Sequence, residues 1–539
     1  MKYSIRSMYA AAGVSTVGNV AYLSNKLMQP ARLAKISREL QKAPWFGEVT
    51  EGLPFANRSG AHSPATGWMA LENLHLARTR TFESKFFGGE DGGAKDVFRP
   101  IRPEQEPSWM KKLPHDAQRY LRVQFAVTDG IDPFAIVQKF PYMGFGYIIP
   151  DDEMAAEASR VFHLGRLQGI KQLSFIHDPV VRAIDRGCGT LMFNHTRLLH
   201  VLDTYVIYNV IAHNLGLSGV QLNTGSTAAI SHDALTPAGG DSVKMIDPPA
   251  FDEDAHYPEL LVGSEWEKYQ SRYQIDRDLL VRTILGEGLL GQILDIADKS
   301  SYIARDTLAF LGTETPDRKF QYSEYTAVGD IVREDPFVCA IWENIQRYDG
   351  QLVFSNPKRL GRFLTLRALM FRGLYYNPYS RFFEYLIGKG FVKYLYQKGE
   401  ITRQQLLEEQ DPWIEGKISE VIGCPYFLGL FHDLSRSRIE ECDSIELAQK
   451  RLHEFDDDPS TIVILDDFQL VGKSGTGKFF VRDGRKVVPF RQACPEVAGE
   501  IEGIMTFSKK IRLFFFKADD LEIPIESRFK LKEILRTVV

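Results

Sequence analysis

The strongest constraint on the fold is a helical periodicity that extends from about residue 151 to residue 422. Apolar residues recur every three and four positions in residues 191–215, 279–311 and 359–396, which is the spacing of helices with one buried face. Acidic residues at 151 and 152 are suitable N-caps for another helix over 153–173. The pattern predicts a mainly α protein with a helical core.

The segments on either side of this core have a different sequence pattern. Residues 1–150 mix glycine-rich and proline-rich loops with short strand-like runs such as 121–127, which is typical of an irregular accessory region. Beyond the core, the pattern predicts strands at 461–465, 478–481, 486–490 and 511–516. Because 539 residues exceed the size of one core, we expect an accessory region (1–150), a helical core (151–422) and a C-terminal α+β lobe (423–539).

Composition limits the partners and the location of the protein. A net charge of −5 disfavours a dedicated nucleic-acid binder. No segment approaches the roughly 18 uninterrupted apolar residues of a membrane span, and the N-terminus has no continuous apolar stretch of a signal peptide. The five cysteines are widely spaced and form no CxxC pair, so no disulfide framework is indicated. We therefore expect a cytoplasmic protein without a membrane partner.

The dipeptide His-Asp occurs at 177–178, 232–233 and 432–433. Only the second pair has suitable companions, since His200 lies on a helix upstream and Asp298 begins a strongly patterned helix downstream. Two imidazoles and two carboxylates from three helices can enclose one divalent ion and leave positions for water and phosphate. The sequence therefore predicts a metal centre of His200, His232, Asp233 and Asp298, with Mn, Mg, Fe or Zn as the candidate ions.

Four ordered motifs carry a resemblance to a known family. They are RLQGIKQL at 166–173, HTRLLH at 195–200, His-Asp at 232–233 and DKSSYIARD at 298–306. Over residues 145–420 the chain resembles the HD-domain deoxynucleoside triphosphate triphosphohydrolases, which include bacterial dGTPases and the SAM-and-HD-domain dNTPase of vertebrates. The resemblance implies a dNTP substrate, release of deoxynucleoside and inorganic triphosphate, a homo-oligomer and activation by an effector nucleotide.

The resemblance also implies roles for single side chains. Beyond the four metal ligands, the implied substrate contacts are Gln172 and Asp306 to the deoxyribose 3′-hydroxyl, and Arg197, Lys299 and Tyr302 to the phosphates. Asp298, Tyr302 and Asp306 are four residues apart, so they share one helical face. The alternative interpretation is that Lys299, Arg305 and Asp306 form ordinary surface pairs.

The delivery of a proton to the leaving group is where this chain departs from the family pattern. Thr236 stands where relatives have a histidine after the His-Asp pair. The nearest histidine is His256, which we expect to act as the general acid with Asp254 orienting it, and Asp241 is the second candidate. Phe354 stands where relatives tend to have a tyrosine near the sugar, so sugar discrimination is expected to change.

One further motif resembles a phosphate-binding loop. GKSGTGK at 472–478 has the glycines of such a loop, but Phe479 follows it where Ser or Thr is required. The next residues have a strand pattern, which predicts a hairpin loop.

Three function classes remain open. They are a dNTP triphosphohydrolase serving housekeeping or phage defence, another HD-type nucleotidase or nuclease, and a catalytically silent nucleotide-binding regulator. The complete ligand set disfavours the silent regulator, and the acidic balance disfavours the nuclease.

Overall fold

A computed structural model describes most of the chain beyond residue 152. The described ranges are 153–173, 195–311, 324–335, 345–348, 350–423, 438–455, 460–467, 474–483, 486–507, 509–517 and 524–536, together with four short strands before residue 150 and a few single positions. The predicted strand at 121–127, the N-caps at 151 and 152, and the His-Asp pairs at 177–178 and 432–433 lie outside the described residues.

The chain divides into two compact units. The first comprises Met1–Glu157, His213–Leu217 and Val332–Ile345, and the second comprises Ala158–Ala212, Ser218–Ile331 and Gln346–Val539. The first unit contains an antiparallel sheet of four strands in the order β1-β2-β4-β3. These strands are β1 (Val14–Val17), β2 (Val20–Leu23), β3 (Ile136–Phe140) and β4 (Phe145–Ile149).

Helices dominate the described chain up to residue 311. They are α1 (Glu153–Val161), α2 (Arg197–Asn214), α3 (Gly219–Ser231), α4 (Asp241–Lys244), α5 (Glu253–His256), α6 (Ser264–Tyr273), α7 (Arg277–Ile284) and α8 (Gly288–Leu311). The periodic stretch at 279–311 is helical as predicted, but it is interrupted where Gly286 adopts a φ of 77°, a backbone conformation that ends a helix. The first helix is shorter than predicted, because His163 is left-handed and a 3₁₀ turn, Leu164–Gly169, follows it.

Helices also account for most of residues 325–422. They are α9 (Tyr325–Glu334), α10 (Pro357–Met370), α11 (Pro378–Glu384), α12 (Lys393–Gln397), α13 (Arg403–Glu408) and α14 (Asp411–Ile422). Two π-helical segments, Phe371–Tyr375 and Tyr385–Val392, follow α10 and α11. Such wide turns rotate the side chains that follow them relative to a regular helix, and they are frequent at functional sites.

The remaining elements combine small sheets with helices. The strands are β5 (Ile345–Tyr348), β6 (Gln351–Phe354), β7 (Arg438–Cys442), β8 (Thr461–Asp466), β9 (Phe480–Asp483), β10 (Lys486–Pro489) and β11 (Ile511–Lys517), and the helices are α15 (Ile445–His453), α16 (Phe490–Ala493), α17 (Pro495–Phe507) and α18 (Ile525–Arg536). One sheet has the order β10-β9-β6-β5 and the other β7-β11-β8. The four predicted strands are therefore confirmed, as is the mainly α class with an α+β C-terminal part.

Two packing features of the second unit bear on the site. Buried apolar residues of β8, β11 and α18 pack with those of α11, α12 and the π-helical segment between them. Strand β9 pairs in parallel with β6, with Val353 opposite Phe480. The turn before β9 is therefore held next to α8, since Gln292 of α8 accepts a hydrogen bond from the Leu352 amide of β6.

Candidate metal centre

The four predicted ligands converge from three helices. His200 lies in the first turn of α2, His232 and Asp233 follow the end of α3, and Asp298 lies in the middle of α8. The Nε2 atoms of the two histidines are 3.2 Å apart, and Asp298 Oδ1 is 3.1 Å from His200 Nε2 and 3.8 Å from His232 Nε2. Asp233 lies 3.6 Å from His200 Nε2 and 3.7 Å from His232 Nε2. The tertiary structure thus brings together residues that are up to 98 positions apart.

The hydrogen bonds behind the histidines prepare both rings for a metal ion. His232 Nδ1 lies 2.9 Å from the Ala229 carbonyl oxygen, which can only accept, so this nitrogen carries the proton. Ser301 Oγ donates to the His200 carbonyl and therefore accepts from His200 Nδ1 at 3.0 Å. Both Nε2 lone pairs consequently face the centre, which is the usual arrangement of metal-binding histidines.

The electrostatics of this centre favour a cation. Burial lowers the pKa of His200, but the hydrogen bond to Asp298 and the charge of Asp233 outweigh it, and the pKa is raised. The same lone pairs and carboxylates that favour a proton on His200 would favour a divalent ion in its place. His200, His232 and Asp298 can hold such an ion, and two imidazoles with carboxylates suit Zn, Fe or Mn.

Arg197 joins the metal centre to a second charged cluster. Its Nη1 donates to Asp233 at 3.1 Å and its Nη2 to Asp241 at 2.7 Å, although only 5 % of the residue is exposed. Burial raises the pKa of Asp233, but His232, Arg197 and His200 outweigh it and hold the pKa far below its usual range. Lys244 pairs with Asp241 at 3.0 Å, and no motif in the sequence had indicated it.

The turn after the His-Asp pair is fixed by contacts from distant segments. Arg166 donates to the carbonyl oxygens of Ala234 (3.2 Å) and Thr236 (2.6 Å). Asp411, the first residue of α14, accepts from the amides of Gly239 and Lys171, both at 2.8 Å. Arg166 and Asp411, which are far apart in the sequence, therefore both hold the backbone that follows Asp233.

Close packing of the π-helical segment Tyr385–Val392 against α4 gives a testable result. A Cβ added at Gly388 would overlap the Ser242 carbonyl oxygen, and backbone cannot move without displacing Asp241 and Lys244. We expect Gly388→Ala to destabilise the fold by about 1–3 kcal/mol, measured by denaturant unfolding. Gly416→Ala is the matched control, because its helical Cβ meets nothing within 4 Å. Equal stability of the two variants would contradict this packing.

Lys299 and Tyr302, the predicted phosphate contacts, lie beyond Asp298 on α8. Lys299 is bonded to the Asp295 carboxylate one turn earlier. Burial lowers the pKa of Lys299 although Asp295 and Asp298 favour its charged form. The Tyr302 hydroxyl accepts a hydrogen bond of 2.9 Å from Arg367 Nε, and burial raises the pKa of Tyr302 to about 12. Arg367 was missed by sequence reasoning, since it lies within an apolar helical pattern that gives no functional signal.

Asp306, a predicted sugar contact, is held from two sides. His195 Nε2 lies 2.7 Å from Asp306 Oδ1, and the Tyr375 hydroxyl donates to Oδ2 at 2.5 Å. Tyr375 ends the π-helical segment Phe371–Tyr375, and its position was not predicted. Phe354 instead packs against Phe479, with ring centroids 5.6 Å apart. The aromatic ring beside Asp306 therefore comes from α10 and its extension, not from β6.

Gln172, the other predicted sugar contact, lies beside His195 in the structure. Its backbone N–H donates to the His195 carbonyl oxygen at 3.0 Å. Its side-chain Oε1 is buried and has no hydrogen-bond partner among the residues that the structure describes. Buried acceptors rarely remain unpaired, so this atom is available to a ligand hydroxyl.

The alternative of ordinary surface pairs does not describe these helix positions. Asp306 is 1 % exposed, and the carboxylate that Arg305 binds, Asp203, is fully buried. Lys299 is also largely buried, with 14 % of its side chain exposed. Lys299, Arg305 and Asp306 are therefore largely buried groups with specific partners.

The two candidate proton donors have other partners. His256 Nδ1 lies 2.6 Å from Glu259, and its Nε2 lies 3.0 Å from the Pro249 carbonyl oxygen. Glu259, not Asp254, orients the ring, and both ring nitrogens are occupied by groups other than the four candidate ligands. Burial raises the pKa of Asp241, but Arg197 and Lys244 outweigh it and hold the pKa well below its usual range. Asp241 is therefore ionised at neutral pH and has no proton to donate, and the general-acid role of His256 stays a prediction.

Comparisons with known proteins give structural neighbours only. No protein-family model and no curated protein matches the sequence. A hypothetical protein from Aquifex aeolicus is similar at 17 % identity and a TM-score of 0.49, covering 74 % of this chain and 100 % of its own. A phosphohydrolase from Bacteroides thetaiotaomicron is similar at 14 % identity and a TM-score of 0.49, covering 71 % of this chain and 99 % of its own.

Fold and site together define a mainly α protein in which His200, His232 and Asp298 can hold a metal ion, with Asp233 beside them. Among the described residues, no helix is both long enough and apolar enough to cross a membrane.

Proposed function

We propose that this chain is a metal-dependent phosphohydrolase that splits a dNTP into a deoxynucleoside and inorganic triphosphate. The observation that carries the proposal is the convergence of two Nε2 lone pairs and two carboxylates on one point, with Lys299 next to a ligand in sequence. A divalent ion bound there, with Mn, Mg, Fe or Zn as candidates, would polarise a phosphorus-bound oxygen and activate water.

The cations beside the centre support a polyphosphate substrate. A triphosphate brings several negative charges, so its binding requires positive groups that are already in place. Lys299 follows the ligand Asp298, and Arg367 reaches the same helix face through the Tyr302 hydroxyl. Arg197 is held by Asp233 and Asp241, so it supplies a fixed positive charge behind the metal.

The residues around Asp306 support binding of the nucleoside part of the substrate next to this carboxylate. Asp306 is fixed by His195 and Tyr375, and Gln172 offers a buried acceptor nearby. Sites built to hydrogen-bond a substrate hydroxyl discriminate strongly against compounds that lack it. We assign Gln172 and Asp306 to the sugar 3′-hydroxyl, with Tyr375 limiting the space beside the ring.

The test is a product assay with purified protein and Mn²⁺ or Mg²⁺. Each of the four dNTPs is supplied alone and then in a mixture, and the products are separated by ion-exchange chromatography. We expect deoxynucleoside and tripolyphosphate, and loss of both products when EDTA is added. Monophosphate with pyrophosphate, or orthophosphate alone, would contradict the proposed reaction and indicate another HD-type phosphohydrolase such as a nucleotidase. Turnover only in the mixture would identify an effector nucleotide, and the oligomeric state is measured with and without it.

A catalytically silent nucleotide-binding regulator is the second candidate. It is favoured by one observation, the engagement of Asp241 with Arg197 and Lys244 and of His256 with Glu259. Tight binding of a dNTP by the metal-loaded protein without any product would support it and refute the hydrolase.

A further inference from the structure

The turn from Ser474 to Lys478, which precedes β9, contacts the carboxylate that binds Lys299. Lys478 Nζ lies 2.6 Å from Asp295 Oδ1. The same oxygen accepts the hydrogen bond from Lys299. One carboxylate, 15 % exposed, therefore holds two lysines, of which one is largely buried and the other, Lys478, is 56 % exposed.

A second contact joins this turn to the site. Arg367, which donates to the Tyr302 hydroxyl, also donates to the Ser474 carbonyl oxygen at 3.5 Å. A small cleft with a volume of about 20 Å³ lies between α8 and the β6–β9 pair, with Asp295 and Lys478 in its lining. The turn from Ser474 to Lys478 thus contacts Arg367 directly and shares Asp295 with Lys299, and both of these cations are proposed to face the phosphates.

The position of Lys478 is fixed by the backbone around it. Gly475 has a φ of 81°, which a residue with a side chain rarely adopts. Immediately after the turn, Phe480 and Val481 of β9 pair with β6. This strand stands where a nucleotide-binding loop requires a helix. The hairpin-loop prediction is wrong for the described part of this turn, because β8 before it pairs with β11 while β9 after it pairs with β6 and β10 in another sheet. The motif resembles a phosphate loop, but its lysine binds a carboxylate.

We propose that Lys478 is a positioning residue that holds Asp295 so that Lys299 is released to an incoming polyphosphate. The inference rests on the proposed function. Asp295 carries one negative charge against two lysines, so either lysine alone can compensate it. When a polyphosphate arrives beside Asp298, Lys299 leaves Asp295 for the phosphate, and Lys478 keeps the carboxylate neutralised. Without Lys478, that movement would leave a largely buried carboxylate unpaired, which is costly.

The test is a double-mutant cycle on binding of inorganic tripolyphosphate. Titration calorimetry in excess Mg²⁺ compares the wild type, Lys478→Ala, Asp295→Asn and the double variant. We expect Lys478→Ala to weaken binding about fivefold, equivalent to roughly 1 kcal/mol for one ion pair. In the Asp295→Asn background Lys299 is already free, so the same substitution should change binding less than about twofold.

Two further variants separate this role from a general loss of charge. Lys478→Arg should retain binding, because it can still reach Asp295. Lys486→Ala removes an exposed lysine from the neighbouring strand β10 and should leave binding unchanged. Steady-state kinetics should show the effect of Lys478→Ala in KM for the dNTP, with kcat nearly unchanged.

The outcomes distinguish this inference from the proposed function. A fivefold loss that persists in the Asp295→Asn background would mean that Lys478 touches the polyphosphate directly, and the exchange would be overturned. Wild-type binding that Lys478→Ala does not weaken would overturn the inference alone. Absence of tripolyphosphate binding by the wild type would overturn both.

Discussion

Replacement of Asp298 by alanine is expected to abolish metal binding and phosphohydrolase activity together. Asp298 is the carboxylate nearest to His200 Nε2, at 3.1 Å, and it lies 3.8 Å from His232 Nε2. Its loss leaves the two imidazoles with Asp233 as the one remaining carboxylate of the predicted ligand set, and the charge of Asp233 is shared with Arg197. Removal of a side chain that hydrogen-bonds to a metal ligand lowers metal affinity or activity about 10- to 100-fold. Removal of the ligand itself should lower them by more than that range.

The size of the effect should follow distance from the ion. Ser301→Ala removes the hydroxyl that fixes the His200 ring. We expect it to lower metal affinity by about 10- to 100-fold, which is less than the effect of Asp298→Ala. Asp278→Ala, at an exposed position in the first turn of α7, is the matched control and should retain full metal content. Bound metal is measured by mass spectrometry after gel filtration, and circular dichroism verifies the fold.

Stoichiometric metal and wild-type turnover in Asp298→Ala would remove this residue from the ligand set. If Ser301→Ala were as severe as Asp298→Ala, the serine would have to contact the ion itself. The series therefore tests the arrangement of the centre as well as its existence.

Asp466→Ala is expected to cause the largest loss of stability in the second unit. Asp466 of β8 is fully buried. It lies 3.1 Å from Arg381 Nη2 and 3.5 Å from Arg512 Nη1. Arg381 is itself 1 % exposed and also binds Glu384 at 2.6 Å. Removal of one partner from a buried ion pair leaves an uncompensated charge, which costs about 3–5 kcal/mol.

Asp519→Ala is the matched control for that change. Asp519 also pairs with an arginine, Arg528, at 2.6 Å, but its side chain is 80 % exposed. An exposed pair contributes about 0–1 kcal/mol, so this variant should unfold close to the wild type. Urea unfolding followed by far-ultraviolet circular dichroism measures both. A change below about 1 kcal/mol for Asp466→Ala would mean that water or another acidic group compensates the two arginines.

The local sequence pattern was sufficient to predict most of the helices and strands, but it predicted their boundaries less well. The period of the apolar residues reports which face of a segment is buried, so the helices at 279–311 and the strands at 461–465 and 511–516 were predicted correctly. The pattern did not reveal that His163 would end the first helix early. A left-handed residue leaves no periodic signal, and neither do the π-helical segments Phe371–Tyr375 and Tyr385–Val392.

The sequence by itself determined the class of the fold and four side chains able to form a metal centre, because those depend on residue type, order and periodicity. Only the tertiary structure decided which groups surround them. Tyr375 beside Asp306, Arg367 on Tyr302, and Lys478 on Asp295 come from segments 65 to 183 residues away from their partners. Such contacts follow from the packing of whole elements, and no local pattern records where a distant side chain will lie. His256 is a different case, because its partner Glu259 lies three residues further along the chain, where the sequence analysis had chosen Asp254.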